Sequence, residues 1–184
     1  MNEIQLVKSL QDMLSGPIGQ GFSIFAGRYL IFVFAFFVAV IGFGKNRKEL
    51  RKTAYAATWS AMLALIITTS LGMLIDRPRP FVADPSIVRL IPAPLTEHSM
   101  PSAHTATAFG AATALAFGHP VLGLIAFVIA GLIGLGRVAS GVHFPTDILA
   151  GAVLGCLVAI GVQMVRSKRW KRWMEIADES DPEE

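Results

Sequence analysis

The sequence predicts an all-α fold, namely a polytopic membrane bundle of about five transmembrane helices preceded by an N-terminal amphipathic helix. Of its 184 residues, 53% are hydrophobic and only 16% are charged. Residues 29–44 and 53–75 contain no charged side chain, and between residues 101 and 165 only Arg137 and Asp147 are formally charged. A helix crosses a bilayer with about 20 apolar residues. Buried helices of a large soluble domain would need polar faces, which these stretches lack.

The elements follow in order along the chain. Residues 1–21 carry apolar side chains on roughly one helical face, which predicts an interfacial helix that ends at Gly16-Pro17. Five apolar stretches are then predicted to span the membrane: residues 22–44, 54–75, 101–118, 120–138 and 144–165. We therefore expect one membrane-embedded domain over residues 1–172. The acidic segment 173–184 is predicted to be a solvated, disordered tail.

The basic residues predict the orientation. One group lies between the first two spans (Lys45, Arg47, Lys48, Arg51 and Lys52), and the other follows the last span (Arg166, Lys168, Arg169, Lys171 and Arg172). The alternatives for such basic groups are a nucleic-acid site and an anionic-lipid site. The positive-inside rule explains both groups without either partner and places them in the cytoplasm. Four crossings separate them, so the C-terminus is predicted to be cytoplasmic. Segments 76–100 and 138–143 are then outside.

This topology brings scattered polar side chains to one membrane face. Ionisable residues beside apolar spans indicate a functional site. The residues that meet at the outer face are Arg77, Arg79, Ser102, His104, Arg137, His143 and Asp147.

His143 and Asp147 have helical i,i+4 spacing, so their side chains share one face. The carboxylate is predicted to accept the Nδ1 proton of the imidazole, which leaves Nε2 as a nucleophile or base. Gly151 and Gly155 continue this face and permit close approach of another helix. The alternative is a His–Asp pair that only holds helices together.

Anion recognition is predicted around the same face. Ser102 and His104 follow Pro101 at a helix N-terminus, where backbone amides attract anions; the alternative is that Ser102 only caps the helix. The arginine side chains match phosphate oxygens. This combination predicts phosphoryl transfer rather than a metal site, because arginines repel a cation. Cys156 is the sole cysteine, so no cysteine cluster forms within one chain.

Three motifs resemble those of the type 2 phosphatidic-acid phosphatase superfamily, K-x6-R-P, P-S-G-H and S-R-x5-H-x3-D. This chain has G-x6-R-P from Gly72 to Pro80, PSAH at 101–104, and GR-x5-H-x3-D from Gly136 to Asp147. Within that superfamily, RPRPFV and GVHFPTDILAG are most similar to bacterial undecaprenyl-diphosphate phosphatases of the bacitracin-resistance type. The departures are Gly72 in place of lysine, Ala103 in place of glycine and Gly136 in place of serine.

The resemblance implies a role for each matching residue. His143 forms a phosphohistidine, Asp147 orients it, and His104 serves as general acid and then base. The phosphate oxygens are held by Arg79, Ser102 and Arg137. Arg77 matches no motif position, and we expect it to compensate for the missing lysine as a phosphate ligand. Neither a metal nor another cofactor is required.

The implied substrate is a lipid phosphate at the outer face of a bacterial inner membrane. The first candidate is undecaprenyl diphosphate, and phosphatidylglycerophosphate and phosphatidic acid are alternatives. A transporter remains an alternative from another class, although the sequence lacks the internal repeats typical of one. An inactive membrane scaffold is also an alternative, because Gly72 stands where the family has lysine. His98 and His119 are interpreted as loop residues, with a role in gating or substrate contact as the alternative for His98.

Overall fold

The computed structural model of the protein describes residues 2–43, 48–93, 98–167 and 172. All regular structure within these residues is helical, which confirms the predicted all-α class. The helices are α1 (Glu3–Met13), α2 (Pro17–Phe43, with a π-helical turn at Phe25–Tyr29), α3 (Lys48–Ile75), α4 (Pro80–Ala83), α5 (Ala103–Gly118), α6 (Pro120–Ala139) and α7 (Pro145–Arg166). The acidic segment 173–184 lies outside the described residues, as do Lys45, Arg47, Lys168, Arg169 and Lys171.

Within the described part of the chain, four segments are long and apolar enough to cross a membrane: Pro17–Phe43, Lys48–Ala83, Pro120–Ala139 and Pro145–Arg166. The first begins earlier than predicted, since Pro17 occupies the first turn of α2 and its fixed φ suits that position. The third predicted span corresponds to α5. Its 16 residues extend only about 24 Å, short of a full hydrocarbon core.

Helix α5 forms the centre of the bundle, packed against α3, α6 and α7. It runs the length of α3, because Gly118 contacts Thr53 near the start of α3 while Met100, just before α5, lies against Gly72 near its end. A short central helix is sufficient here since its neighbours, rather than lipid, surround it.

Small residues allow this close packing. A Cβ at Gly151 would lie 2.6 Å from the Ser102 carbonyl oxygen, and one at Gly155 would lie even closer to the Ala106 carbonyl oxygen. The predicted glycine face of α7 is therefore confirmed as a helix-packing face, and α5 is its partner. Large apolar side chains cover the outer surface instead, as expected of a surface that faces lipid.

Helix α1 packs on protein rather than lying apart from the bundle. Val7 is fully buried against Ile87, Val138 and Phe144. A 2.8 Å ion pair joins Lys8 to Asp84 in the segment after α4. The predicted interfacial helix is thus docked across the end of the bundle where α3 and α6 end and α7 begins.

Candidate active site

A pocket of about 310 Å³ lies at the end of the bundle next to α1. Four of the seven predicted site residues line it: Arg79, His104, Arg137 and His143. The other lining residues are Thr69, Gly72, Met73, His98, Pro101 and Ala103. Among the residues described, no three His, Cys, Asp or Glu side chains are grouped so that they could hold a metal ion.

His143 lies between α6 and α7 and is almost completely buried. Its Nδ1 atom is 2.7 Å from the Ser99 carbonyl oxygen and 3.5 Å from Asp147 Oδ2. Because a carbonyl oxygen can only accept, Nδ1 carries the proton and Nε2 keeps its lone pair. The main acceptor is therefore Ser99, which corrects the prediction that Asp147 fills this role.

The charge state of His143 suits a nucleophile. Burial lowers the pKa of His143 to about 4; the Arg137 and Arg79 guanidiniums act in the same direction, and Asp147 opposes them. The imidazole is consequently neutral near pH 7, with its lone pair available.

Two arginines flank the Nε2 atom of His143. Arg79 Nη1 lies 3.4 Å from it and donates to the Val142 carbonyl oxygen at 3.0 Å. Arg137 Nη2 lies 3.3 Å from it. Both side chains are at most 6% exposed, so their charges are little screened by water. A phosphoryl group placed against Nε2 would meet a guanidinium on each side.

The π-helical turn of α2 anchors one of these arginines. Arg137 Nη1 donates to the Gly27 carbonyl oxygen at 3.1 Å. A Cβ at Gly27 would lie 2.7 Å from the Gly136 carbonyl oxygen, so only glycine permits this approach. Sequence reasoning missed Gly27, although π turns often occur at functional sites. The sequence indicates a role for Gly27 only through the Gly27-Arg28 pair at the start of an apolar stretch.

Asp147 is fully buried and held by two donors. Its Oδ1 accepts from Arg77 Nη1 at 2.7 Å, and its Oδ2 accepts from the Phe144 backbone N–H, also at 2.7 Å. The guanidinium of Arg77 lies 4.3 Å from the Phe144 ring centroid. Arg77 is therefore behind Asp147 rather than in the pocket, which differs from its predicted phosphate-binding role. The cause is a competing carboxylate that motif spacing does not reveal.

Ser102 also differs from its predicted role. It is fully buried, its Oγ accepts from Thr105 Oγ1 at 3.0 Å, and its N–H donates to the Asp147 carbonyl oxygen at 3.0 Å. Ser102 thus joins α5 to α7 and does not line the pocket. His104 and Ala103, in the first turn of α5, are the residues of this motif that do.

His98 is an additional pocket residue that the sequence interpretation assigned to a loop. Its Nδ1 atom is 2.7 Å from Asp76 Oδ1. It stands over Gly72, where a Cβ would lie 3.7 Å from the His98 Cβ. His98 therefore packs against Gly72, the position where the family motif has lysine.

Comparisons with known proteins show the family of this chain. Residues 53–171 match the PAP2 superfamily. The chain is 30% identical to the bacitracin transport permease protein BcrC of Bacillus licheniformis over 75% of this chain and 67% of that one. It is 27% identical to undecaprenyl-diphosphatase BcrC of Bacillus subtilis over 73% and 68% of the two chains. The crystal structure of Aquifex aeolicus LpxE superposes with a TM-score of 0.69 and 27% identity, over 88% of this chain and 94% of that one. The protein belongs to the PAP2 superfamily and is a membrane phosphatase.

Proposed function

We propose that this phosphatase removes the terminal phosphate of a lipid phosphate or diphosphate through a phosphohistidine on His143. The observation that carries the proposal is the placement of His143 Nε2, 3.4 Å from Arg79 Nη1 and 3.3 Å from Arg137 Nη2. A neutral nitrogen lone pair between two buried cations is suited to attack on an anionic phosphorus centre. Preorganised donors that stabilise developing charge usually contribute more to catalysis than any other effect.

The proposed reaction has two steps. In the first, His143 Nε2 forms a bond to phosphorus, the bond to the leaving oxygen breaks, and His104 donates a proton to that oxygen. In the second, His104 takes a proton from water, whose oxygen attacks phosphorus and breaks the N–P bond. Arg79 and Arg137 bind the phosphate oxygens in both steps. Asp147 balances the positive charge that His143 acquires.

A lipid substrate is supported by the surroundings of the pocket. Met73 lines the pocket and is also 70% exposed on the apolar outer surface of α3. An acyl or prenyl chain can therefore lie along α3 in the bilayer while its phosphate enters the pocket. We take undecaprenyl diphosphate as the first candidate because the Bacillus subtilis relative carries that activity in its name. Phosphatidylglycerophosphate and phosphatidic acid are the alternatives.

We further propose that the pocket opens at the outer face of a bacterial plasma membrane and that the C-terminus is cytoplasmic. Basic residues support this orientation. Arg166, at the end of α7, donates to the Lys52 carbonyl oxygen at 3.3 Å, so both lie at the end of the bundle opposite the pocket. Lys48 and Arg51 belong to the same end of α3. The positive-inside rule assigns that end to the cytoplasm.

The proposed function is tested by phosphate release from the purified protein in detergent micelles. Undecaprenyl diphosphate, phosphatidylglycerophosphate and phosphatidic acid should be supplied separately, and we expect the first to give the highest kcat/KM. Release from none of the three would overturn the proposal. It would favour the transport alternative, which the name of the Bacillus licheniformis relative also suggests.

Turnover should survive an excess of EDTA. The guanidiniums of Arg79 and Arg137 provide the positive charge at the phosphate, so the proposed steps use no bound cation. The measurement is the rate of phosphate release before and after chelation. Loss of turnover that magnesium restores would contradict the mechanism.

Gly72→Lys should strengthen substrate binding. A Cβ at this position would be in ordinary van der Waals contact, 3.7 Å from its nearest neighbours, and Gly72 lines the pocket, so we expect the lysine side chain to extend into the pocket. A new charge-assisted contact predicts a fall in KM of roughly three- to tenfold. Gly72→Met is the matched control, because it has similar length without charge. Equal KM values for the two variants would show that space rather than charge matters here.

A further inference from the structure

We propose that Glu3 and Arg77 are positioning residues that hold Asp147 beside His143, so that one residue of the N-terminal helix α1 supports the active site. The inference rests on the proposed role of His143 as nucleophile. Glu3 belongs to none of the sequence motifs, and Arg77 was predicted to bind the phosphate. The inference gives both residues a different role.

The three side chains form a continuous chain of charge-assisted hydrogen bonds. Arg77 donates through Nη2 to Glu3 Oε2 and through Nη1 to Asp147 Oδ1, the latter at 2.7 Å. The guanidinium is thus held between two carboxylates, one from α1 and one from α7. It also lies over the Phe144 ring, so its orientation is restrained from a third side.

Thr146 contacts both Glu3 and Arg77. Its backbone N–H donates to Glu3 Oε1 at 3.1 Å and its hydroxyl donates to the same oxygen at 2.6 Å. Arg77 Nη1 is also 2.6 Å from the Thr146 hydroxyl oxygen. Burial raises the pKa of Glu3, but the hydrogen bonds from Thr146 and Arg77 outweigh it and keep the pKa below its usual range. Glu3 is therefore a carboxylate at neutral pH and a lasting partner for Arg77.

The arrangement has a direct consequence for the nucleophile. With Oδ1 tied to Arg77, the Oδ2 atom of Asp147 is directed to the Phe144 N–H and to His143 Nδ1, which lies 3.5 Å away. Without Glu3, the long side chain of Arg77 has one carboxylate partner fewer and more rotamers available. Asp147 keeps both donors but is then held by a less restrained Arg77 when His143 acquires positive charge. The predicted defect is in the phosphorylation step rather than in substrate binding.

Glu3→Gln tests the inference, because glutamine keeps the shape and removes the charge. Single-turnover phosphoenzyme formation should slow by about tenfold, the effect expected from losing one charge-assisted hydrogen bond. KM should stay within about twofold, since Glu3 does not line the pocket. Glu3→Asp, which retains a carboxylate, should recover part of the rate. Arg77→Lys should show a defect that Glu3→Gln does not deepen, as expected for members of one network.

Lys8→Gln is the matched control. It removes a second ion pair that ties α1 to the bundle, the 2.8 Å contact with Asp84, without touching the Glu3–Arg77–Asp147 chain. We expect it to leave the phosphorylation rate unchanged even where it lowers the melting temperature. An equal loss of rate in Lys8→Gln, or an unchanged rate in Glu3→Gln, overturns the inference. Turnover by the unmodified protein without any phosphoenzyme would instead refute the proposed function, so the two failures are distinguishable.

Discussion

Replacing His143 with alanine should abolish the covalent phosphoenzyme and reduce phosphate release to background. The reason is chemical: the proposed mechanism forms its only protein–phosphorus bond at Nε2. In the substituted protein neither Arg79 nor Arg137, the neighbours of that atom, supplies a nucleophile. The measurement is transfer of labelled phosphate to the protein in a single turnover, together with steady-state release.

The control for this experiment must separate chemistry from folding. The His143 side chain is buried and its Nδ1–H is satisfied by the Ser99 carbonyl oxygen at 2.7 Å, so alanine leaves that oxygen without its donor. His143→Asn retains an amide donor for Ser99 and lacks a nucleophile, which makes it the better-folded comparison. Both variants should be inactive. A well-folded variant of either kind with full activity would end the phosphohistidine proposal, whereas a role confined to helix packing predicts lower melting temperature with intact kinetics.

Asp147→Asn should reduce turnover by roughly 10²- to 10⁴-fold, the range that aspartate-to-asparagine changes beside a catalytic histidine suggest. The substitution removes the negative charge that balances His143 when its imidazole binds phosphorus. Single-turnover phosphorylation and steady-state kcat should fall together. KM should change little, since Asp147 does not line the pocket.

The same substitution should also cost some stability. Both oxygens of Asp147 accept from donors, Arg77 Nη1 and the Phe144 N–H. The NH₂ group of an asparagine must face one of these two donors. That donor then has no acceptor, which lowers the free energy of unfolding by about 1–3 kcal/mol. Ser102→Ala is a useful comparison: it removes a buried hydroxyl beside the site that does not line the pocket. A kinetic defect no larger than that of Ser102→Ala would indicate that Asp147 serves packing alone.

Motif spacing predicted which residues converge, but not what each one contacts. The placement of Arg79, His104, Arg137 and His143 around one pocket follows from the order of helices and from charges at one end of each. Arg77 and Arg79 look equivalent in RPRP, yet they face different partners. Arg79 lies at the start of α4 beside His143, while Arg77 is drawn to Glu3 and Asp147.

The sequence by itself determined the all-α class and the membrane location, and it predicted four of the residues that line the pocket, Arg79, His104, Arg137 and His143. These depend on local properties, because a bilayer requires long apolar helices and excludes unpaired charge except where function needs it. Only the tertiary structure decided that Ser99 fixes the imidazole, that Gly27 anchors Arg137 and that Glu3 holds Arg77. These partners are 44, 110 and 74 residues apart in the chain. Such contacts leave no periodic pattern in the sequence, and they arise only when the small residues of α5 and α7 let the helices close around the site.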